Sequence, residues 1–193
     1  MSAQTATKQN TVLNGVNVTA LVDTVEAIKE NAEIAKFKFR ATNKWINGGH
    51  NRTTIKDFYG ACQEDTSRKD TFVLDNDEPA VLLGEDNGAN PVEYVLNALA
   101  GCMTTTMVYK AAVHGIKIEE VESELEGDLD LRGLLQISDD VRNGFQNITI
   151  KFKVKTEGNE AEHLKVLEEL SVTSPVFDIV TNQVAVQVSV EKK

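Results

Sequence analysis

The sequence predicts an α+β domain, in which mostly antiparallel strands pack against helices on one face. Two segments, residues 120–131 and 147–155, alternate between apolar and charged residues, which is typical of half-buried strands. One long segment, residues 90–115, carries a helix start signal and a helix stop signal. The predicted order along the chain is helix, three strands, long helix, two strands, helix, short helix and strand.

Length and composition indicate a globular protein. The chain has 193 residues, of which 41% are hydrophobic, so it can bury the core of one domain. We predict a flexible tail over residues 1–15 and a single domain over residues 16–193. A formal net charge of −10 argues against nucleic acid and anionic membranes as partners, because both are bound mainly through Lys and Arg.

The apolar runs of the sequence indicate its cellular compartment, and the spacing of its cysteines indicates whether it has metal or disulfide sites. The chain has no apolar run of about eighteen residues, and "MSAQTATKQNTVLNG" lacks a signal-peptide pattern, so we expect a cytoplasmic protein. The two cysteines, Cys62 and Cys102, are far apart, and the three histidines are scattered. This spacing fits neither a zinc site nor a disulfide framework, so we expect no metal and no cofactor.

The first helix is predicted over residues 19–33, with Thr19 as its N-cap. Its apolar stripe consists of residues three or four positions apart: Leu21, Val25, Ile28 and Ala32. Residues 36–45 then alternate with a period of two, and the glycine pair at 48–49 supplies a turn, which predicts a β-hairpin. A third strand is predicted near residues 70–75.

Residues 91–114 form the best-delimited helix of the sequence. Asn90 is the predicted N-cap, with Pro91 at N1 and Glu93 at N3 of a capping box. Gly115 follows the last helical residue, where glycine commonly ends a helix. Apolar side chains cover a wide arc of this segment, so we predict that it is the core helix.

The two alternating segments carry opposite charges on their solvent faces, acidic over 120–131 and basic over 147–155. This complementarity predicts antiparallel pairing, and it favours a solvated sheet face over a binding patch. The intervening residues 132–146 are too long for a tight turn and contain apolar side chains, so we expect this loop to cover part of the protein.

The C-terminal part is predicted to contain two helices and a strand. Residues 159–170 open with a second capping box, formed by Asn159 and Glu162. A short helix follows, with Ser174 as its N-cap, and the valine-rich residues 183–190 alternate as a strand does.

Three stretches, "LLGEDNGA", "NPVEYVLNALAGC" and "SPVFDIV", stand in this order before the valine-rich end. Together they resemble the OsmC/Ohr family of osmotically inducible and organic-hydroperoxide-resistance proteins, over roughly residues 36–190. The resemblance implies antiparallel sheets wrapped around a long central helix, in an intertwined homodimer with active sites at the subunit interface. It also implies that a cysteine in the long helix attacks a hydroperoxide, becomes a sulfenic acid, and is resolved by a second cysteine.

Carried over to this chain, the resemblance gives the reactive role to Cys102. The place of the resolving cysteine falls on Ser174, so that thiol is missing. Cys62, at a predicted strand end, is either a structural residue or a substitute resolving thiol. The activating arginine of the family lies in the first hairpin turn. That turn reads "GGHNRTT" here, which makes Arg52 the candidate, with His50 in a neighbouring position.

Glu93 is the candidate for the catalytic glutamate of the family. It lies nine residues before Cys102, so the two side chains are on opposite helix faces and about 13 Å apart along the axis. Glu93 could therefore serve the thiol of a partner subunit, or it could cap its own helix.

Only a thiolate attacks peroxide, and a free cysteine with a pKa of about 8.5 is mostly protonated at neutral pH, so a nearby cation such as Arg52 is required. The alternative is that Cys102 is a small apolar residue packed in the core.

These observations favour a hydroperoxide reductase that uses a thiol reductant, with an external thiol or Cys62 as the resolving group. The alternative is a non-enzymatic binder of an apolar or acyl small molecule. Its pocket would lie at the dimer interface, between the core helix and residues 132–146. A third possibility is a stress-associated structural dimer without a ligand.

Overall fold

A computed structural model describes residues 10–193 of the chain, which divide into two compact units. The first unit comprises Asn17–Val95 with residues 10–12, and the second comprises Leu13–Val16 with Leu96–Lys193. Antiparallel sheets and helices make up these units, which confirms the predicted α+β class. The single domain predicted over residues 16–193 stays a prediction.

Regular structure begins inside the predicted N-terminal tail, whose residues 1–9 lie outside the described residues. Strands β1 (Val12–Leu13) and β2 (Val16–Asn17) precede helix α1 (Val18–Glu30). The side chain of Asn17 accepts the N–H of Ala20 at 2.9 Å, so Asn17 is the N-cap and the prediction of Thr19 was wrong. No side chain of α1 is buried in the described chain, so its apolar stripe remains at the surface.

The predicted hairpin is present, with strands β3 (Thr42–Asn47) and β4 (His50–Ile55) around a turn at Gly48 and Gly49. Gly48 has a φ of +52°, a conformation that glycine adopts without strain. The first strand begins later than the predicted residue 36. The reason is that Lys38 pairs elsewhere, exchanging backbone hydrogen bonds of 2.8 and 3.1 Å with Tyr59.

A second hairpin, not predicted from the sequence, joins β5 (Phe58–Gly60) to β6 (Gln63–Asp65). Its two turn residues, Ala61 and Cys62, have φ values of +49° and +63°. Turns of this kind usually contain Asn or Gly, and the absence of both explains why the hairpin escaped prediction. Strand β7 (Phe72–Asn76) then pairs with β4, which confirms the third strand and completes the sheet β3-β4-β7.

The core helix is confirmed as α2, which spans Pro91–Val113. Its buried side chains recur mainly at every fourth position, as one face of a helix requires. They are Leu99, Met103, Met107, Ala111 and Ala112. This face contributes five of the eight buried apolar residues of the described chain.

Strand β8 (Ile118–Leu129), the four-residue helix α3 (Leu131–Leu134) and strand β9 (Phe145–Thr156) follow α2. β8 and β9 pair antiparallel as predicted, and the register sets acidic residues of β8 opposite lysines of β9. Lys153 forms an ion pair with Glu124. Exposed pairs of this kind contribute little stability, so the charges mainly favour the correct register.

The loop between β8 and β9 carries exposed apolar side chains, and its role in covering part of the protein stays a prediction. Its large apolar side chains are themselves exposed: Leu134, Leu135 and Ile137. An exposed apolar group of this size is commonly a contact surface for another molecule.

Helices α4 (Glu160–Ser171) and α5 (Pro175–Thr181) end the regular structure of the chain. The side chain of Asn159 donates to the carboxylate of Glu162 at 2.9 Å and makes no hydrogen bond to the helix backbone, so this capping box differs from the predicted one. The strand predicted over residues 183–190 is absent in the described chain, and its four valines are exposed. A segment of alternating apolar and polar residues forms a strand only where the edge of a sheet is free to pair with it.

Leu167 of α4 should be a major contributor to stability. It is 1% exposed and packs with Met107, Ala111 and Ile116. We expect Leu167→Ala to lower the free energy of unfolding by about 2–5 kcal/mol, because it leaves a cavity in the core. Urea unfolding followed by circular dichroism measures the loss. Leu164→Ala on the same helix is the control; Leu164 is 44% exposed, and an equal loss there would contradict the assignment.

Candidate functional site

A hydrogen-bond network centred on Asp77 organises the segment that leads into α2. Asp77 is 2% exposed, and its carboxylate accepts the backbone N–H groups of Glu78, Glu85 and Asn87 at 2.8, 3.3 and 3.1 Å. The side-chain amide of Asn87 donates a further hydrogen bond at 2.8 Å. These bonds, led by the one from the Asn87 side chain, lower the pKa of Asp77 to about 2.

The same segment folds back closely on itself at two glycines. A Cβ atom on Gly84 would lie 1.8 Å from the carbonyl oxygen of Glu78, and one on Gly88 would lie 2.1 Å from that of Asp75. No side chain fits at such distances, so both positions require glycine. Close packing and the Asp77 network therefore fix the path of the chain toward α2.

Asn90 and Glu93 start α2 as the sequence predicts. The backbone N–H of Asn90 donates to Glu93 at 2.9 Å, and the N–H of Val92 donates to the Asn90 side chain at 3.0 Å. The Asn90 amide also donates to the carboxylate of Glu78 at 2.5 Å, which ties the cap to the preceding segment. Glu93 thus caps its own helix, and its catalytic role stays a prediction.

Cys102 lies near the middle of α2 and is free and half-buried. Its neighbours on the buried face, Leu99 and Met103, are almost completely enclosed, whereas Gly101 and Thr105 are exposed. Within its own unit the thiol has no hydrogen-bond partner. The thiol therefore stands at the border of the packed face, where a small molecule can approach it more easily than it can approach Leu99.

Arg52 lies in β4, three positions after the turn residue Gly49, and its guanidinium is already paired. Nε and Nη2 donate to the two carboxylate oxygens of Asp75 at 2.9 and 3.1 Å. The Nε2 atom of His50 lies 2.8 Å from the same carboxylate. These contacts, led by the one from Arg52, lower the pKa of Asp75, and Asp75 in turn raises the pKa of Arg52.

Arg52, His50 and Asp75 therefore form one cluster. The hairpin motif had indicated Arg52 and His50, but no signal in the sequence indicated Asp75. The register of β4 and β7, in which Arg52 lies opposite Asp75, was the missing information. Arg52 belongs to the first unit and Cys102 to the second. Activation of Cys102 by Arg52 stays a prediction.

Ser174 caps α5, as the sequence predicts. Its side chain is fully buried and accepts the N–H of Phe177 at 3.1 Å, with Pro175 in the first turn. Cys62, in contrast, is exposed in the turn between β5 and β6. The candidate resolving positions therefore differ sharply, because one is an enclosed hydroxyl and the other is an accessible thiol.

Residues 10–193 contain neither a candidate metal site nor a candidate membrane-spanning helix. No group of three or more His, Cys, Asp or Glu side chains in this range is arranged to hold a metal ion. None of the helices in the same range has the length and apolar character to cross a membrane.

The sequence pattern of the OsmC-like protein family matches residues 84–189, more than half of the chain. The chain belongs to this family. The matched range contains Cys102, Ser174 and the whole of α2. No curated protein sequence matches this OsmC-like chain.

Solved structures show the same fold at low sequence identity. An OsmC-like protein from Mycoplasma pneumoniae is 16% identical, with a TM-score of 0.57, and the match covers 76% of this chain and 89% of that one. An OsmC-like protein from Vibrio cholerae is 12% identical, with a TM-score of 0.53, over 73% of this chain and 92% of that one. These likenesses confirm the predicted OsmC-like fold.

Asp77 should make folding of the first unit dependent on pH. Its folded-state pKa of about 2 lies below the ordinary value, so its stabilising contribution is complete above about pH 4 and is lost as the pH falls toward 2. We expect Asp77→Asn to unfold at a lower urea concentration at pH 7, and the difference from the parent chain to shrink between pH 4 and pH 2. Asp86→Asn, an exposed neighbour in the same segment, is the control. A constant difference across this pH range would contradict the assignment.

Proposed function

We propose that this OsmC-like chain is a thiol-dependent reductase of organic hydroperoxides, with Cys102 as the attacking group. The observation that carries the proposal is the family match, whose residues include Cys102 in the middle of a well-delimited helix. The border position of Cys102 supports it, because a reactive thiol must be both held in place and accessible. A stress-protective role follows from this chemistry.

The proposed reaction begins with the thiolate of Cys102. Its sulfur attacks the terminal oxygen of the hydroperoxide, the O–O bond breaks, and the alcohol leaves after taking up a proton. Cys102 becomes a sulfenic acid, having been oxidised by two electrons. A small thiol then attacks the sulfenic sulfur and releases water, and a second thiol frees Cys102 as the two reductant molecules form a disulfide.

An external thiol is the resolving group that the structure favours. Ser174 offers no sulfur, and its buried hydroxyl is engaged as a helix cap. Cys62 is accessible and remains the alternative, since an exposed thiol can also attack a sulfenic acid. The thiol requirement suits the reducing cytoplasm, which we propose as the compartment.

Arg52 is the proposed cation for Cys102. A guanidinium near a thiol favours the ionised form. The ion pair with Asp75 orients Arg52 but also neutralises part of its charge, so the effect is smaller than that of a free arginine. Nη1 makes no hydrogen bond in the described chain and is the atom left to face a thiolate. Glu93 caps its own helix, and the catalytic role proposed for it is in the site of a partner subunit.

We also propose a homodimer, in which a second copy covers the apolar surface that one chain leaves exposed. This surface includes Tyr109 and Val113 of α2 and the apolar side chains between β8 and β9. A soluble monomer rarely exposes so many large apolar side chains, because their burial drives association. The active sites are proposed to lie at the interface of this dimer.

A second candidate function is non-enzymatic binding of an apolar molecule. A cavity of about 360 Å³ in the second unit favours it, within the range typical of ligand pockets. Its walls are largely apolar and come from α2, β9 and α4, including Met107, Phe152 and Leu164. The walls do not include the loop over residues 132–146, where the sequence placed such a pocket.

Oxidation of Cys102 is the decisive test between these functions. We expect the intact mass of the protein to increase by one oxygen atom after one equivalent of cumene hydroperoxide. Cys62→Ser should show the same increase, and Cys102→Ser should show none. With dithiothreitol present, the parent chain should consume the hydroperoxide and Cys102→Ser should not.

The other outcomes of this test identify the resolving group or contradict the proposed reductase. A loss of two hydrogen atoms in the parent chain, absent in Cys62→Ser, would assign resolution to Cys62. Equal hydroperoxide consumption by the parent and Cys102→Ser would contradict the reductase. An unchanged mass, with a co-purifying apolar compound, would favour the binder.

Activation by Arg52 predicts slower alkylation when that charge is removed. In a Cys62→Ser background, we expect Arg52→Gln to slow the reaction of Cys102 with iodoacetamide at pH 7 by roughly threefold to tenfold. Arg40→Gln is the matched control, because Arg40 forms a similar pair with Glu64 at 2.6 and 2.9 Å in the same unit. Equal rates for the two variants would rule out Arg52 as the activating cation.

A further inference from the structure

We propose that Asn143 is a site of spontaneous deamidation, in which the backbone nitrogen of Gly144 is the nucleophile. The chain contains four Asn–Gly pairs, which begin at Asn14, Asn47, Asn87 and Asn143. Asn–Gly is the dipeptide in which this reaction is least hindered, because glycine has no Cβ atom beside the attacking nitrogen. The sequence makes the four pairs equivalent, whereas the structure distinguishes them by the contacts of the side chain and of the main chain.

The proposed reaction consumes one water molecule and releases one ammonia molecule. The Gly144 nitrogen loses its proton and attacks the side-chain carbonyl carbon of Asn143. A C–N bond forms there, and the bond to the side-chain nitrogen breaks as that nitrogen takes up the proton and leaves as ammonia. Water then adds to one of the two carbonyl carbons of the succinimide ring and opens it. The product is aspartate or isoaspartate, and isoaspartate has a main chain that is longer by one carbon atom.

Hydrogen bonds hold the side chains of Asn14 and Asn87. The Asn14 amide donates to the carbonyl oxygen of Ile116 at 2.9 Å, and its oxygen accepts the N–H of Ile118 at 2.9 Å. The Asn87 amide donates to the carboxylate of Asp77 at 2.8 Å. Neither side chain can turn its carbonyl carbon toward the following nitrogen until these bonds break, so both pairs should react slowly.

Asn47 is restrained through its main chain. Its side chain makes no hydrogen bond in the described part of the chain, but the residue ends β3 and pairs with His50 in the antiparallel ladder. Closure of the five-membered ring requires rotation about the Cα–C bond of the asparagine, and strand pairing resists this rotation. Asn47 should therefore react more slowly than an asparagine outside regular structure.

Asn143 lacks both kinds of restraint. It is exposed and lies outside regular structure, two residues before β9 begins at Phe145. Its side chain makes no hydrogen bond to any group in residues 10–193, and the N–H of Gly144 donates to none of them either. The attacking nitrogen and its target carbon can therefore approach each other without breaking a contact.

A neighbouring cation favours the reaction at this pair. The Nη2 atom of Arg142 lies 3.9 Å from the point at which a Cβ atom on Gly144 would stand. Negative charge develops on the Gly144 nitrogen and on the carbonyl oxygen of the Asn143 side chain, and a guanidinium close to such charge stabilises it. The Arg142 guanidinium makes no ion pair within the described residues, so its charge is available for this role.

Water should also reach Asn143 in the proposed homodimer. The apolar side chains of this loop that are expected at the interface end at Ile137. The residues between Ile137 and Asn143 include the exposed charges of Asp139, Asp140 and Arg142. Charged residues are depleted in the core of protein interfaces, so this end of the loop remains in contact with solvent.

Isoaspartate at position 143 would alter the loop, because the main chain is anchored on both sides of it. On one side, a Cβ atom on Gly133 would lie 2.3 Å from the carbonyl oxygen of Arg142, so α3 packs directly on this backbone. On the other side, the Gln146 amide donates to the same carbonyl oxygen at 3.0 Å. An extra backbone carbon between the anchors cannot fit without moving one of them. Deamidation is thus a slow, irreversible change of both charge and shape in this loop.

The test incubates the full-length protein at pH 8 and follows all four asparagines by mass spectrometry after pepsin digestion at acidic pH. Exchange of the side-chain NH2 for OH raises the peptide mass, and electron-transfer fragmentation distinguishes isoaspartate from aspartate. We expect Asn143 to be converted first and Asn47 to follow. Asn14 and Asn87 should be at least about tenfold slower than Asn143, because their hydrogen bonds must break first. In denaturing urea the four rates should become similar.

Arg142→Gln should slow the conversion of Asn143 by about threefold to tenfold and leave that of Asn47 unchanged. Arg132→Gln is the matched control, because its guanidinium is bound to Asp130 in the same loop, and it should react as the parent does. Equal conversion of Asn143 and Asn14 in the folded protein would overturn the proposal. Equal conversion of Asn143 in the two arginine variants would overturn the role of Arg142. None of these measurements depends on whether the chain reduces hydroperoxides.

Discussion

The buried carboxylate of Asp77 is the constraint on which the path of the chain into the first turn of α2 depends. Its acceptor oxygens are shared among backbone N–H groups from three residues, so the segment between β7 and α2 has one defined path. A buried carboxylate is costly unless its hydrogen bonds are made, which is why it organises the backbone around it. The cap at Asn90 is bonded to Glu78 in this segment, and the start of α2 is thereby fixed.

A fixed helix start has consequences for the chemistry of the chain. Cys102 follows Asn90 by little more than three helical turns, so the cap sets the height of the thiol along the axis. The packed face of α2, with Leu99 and Met103, sets its rotation. Cys102 is thus held by packing on one side while its other side stays open, an arrangement that serves nucleophilic attack better than full burial does.

Charge plays different parts in the two units. On β8 and β9 the carboxylates and lysines face each other in exposed pairs that favour one register and contribute little stability. On β4 the pairing is more specific, because the guanidinium of Arg52 donates one hydrogen bond to each carboxylate oxygen of Asp75. The imidazole of His50 contacts the same carboxylate. The same cluster orients Arg52, the proposed activating cation.

Local signals predicted the elements whose ends depend on a few neighbouring residues. The capping box of α2 and the Ser174 cap of α5 lie within four residues of the bonds that they make, and both were predicted correctly. The hairpin around Ala61 was missed, because its turn residues adopt left-handed φ without the usual Asn or Gly. The strand over residues 183–190 was predicted from a valid alternation, but no edge pairs with it in the described chain.

The sequence by itself determined the α+β class, the limits of α2, the position of Cys102 within it and the helix-capping serine at position 174. Only the tertiary structure decided that Asp75 pairs with Arg52, that Asp77 is buried, and that the Ser174 hydroxyl is enclosed. The physical reason is the range of the interactions. Helix caps and the periodicity of apolar residues depend on neighbours within one or two turns of the chain. Strand register and burial depend on segments that meet only after folding.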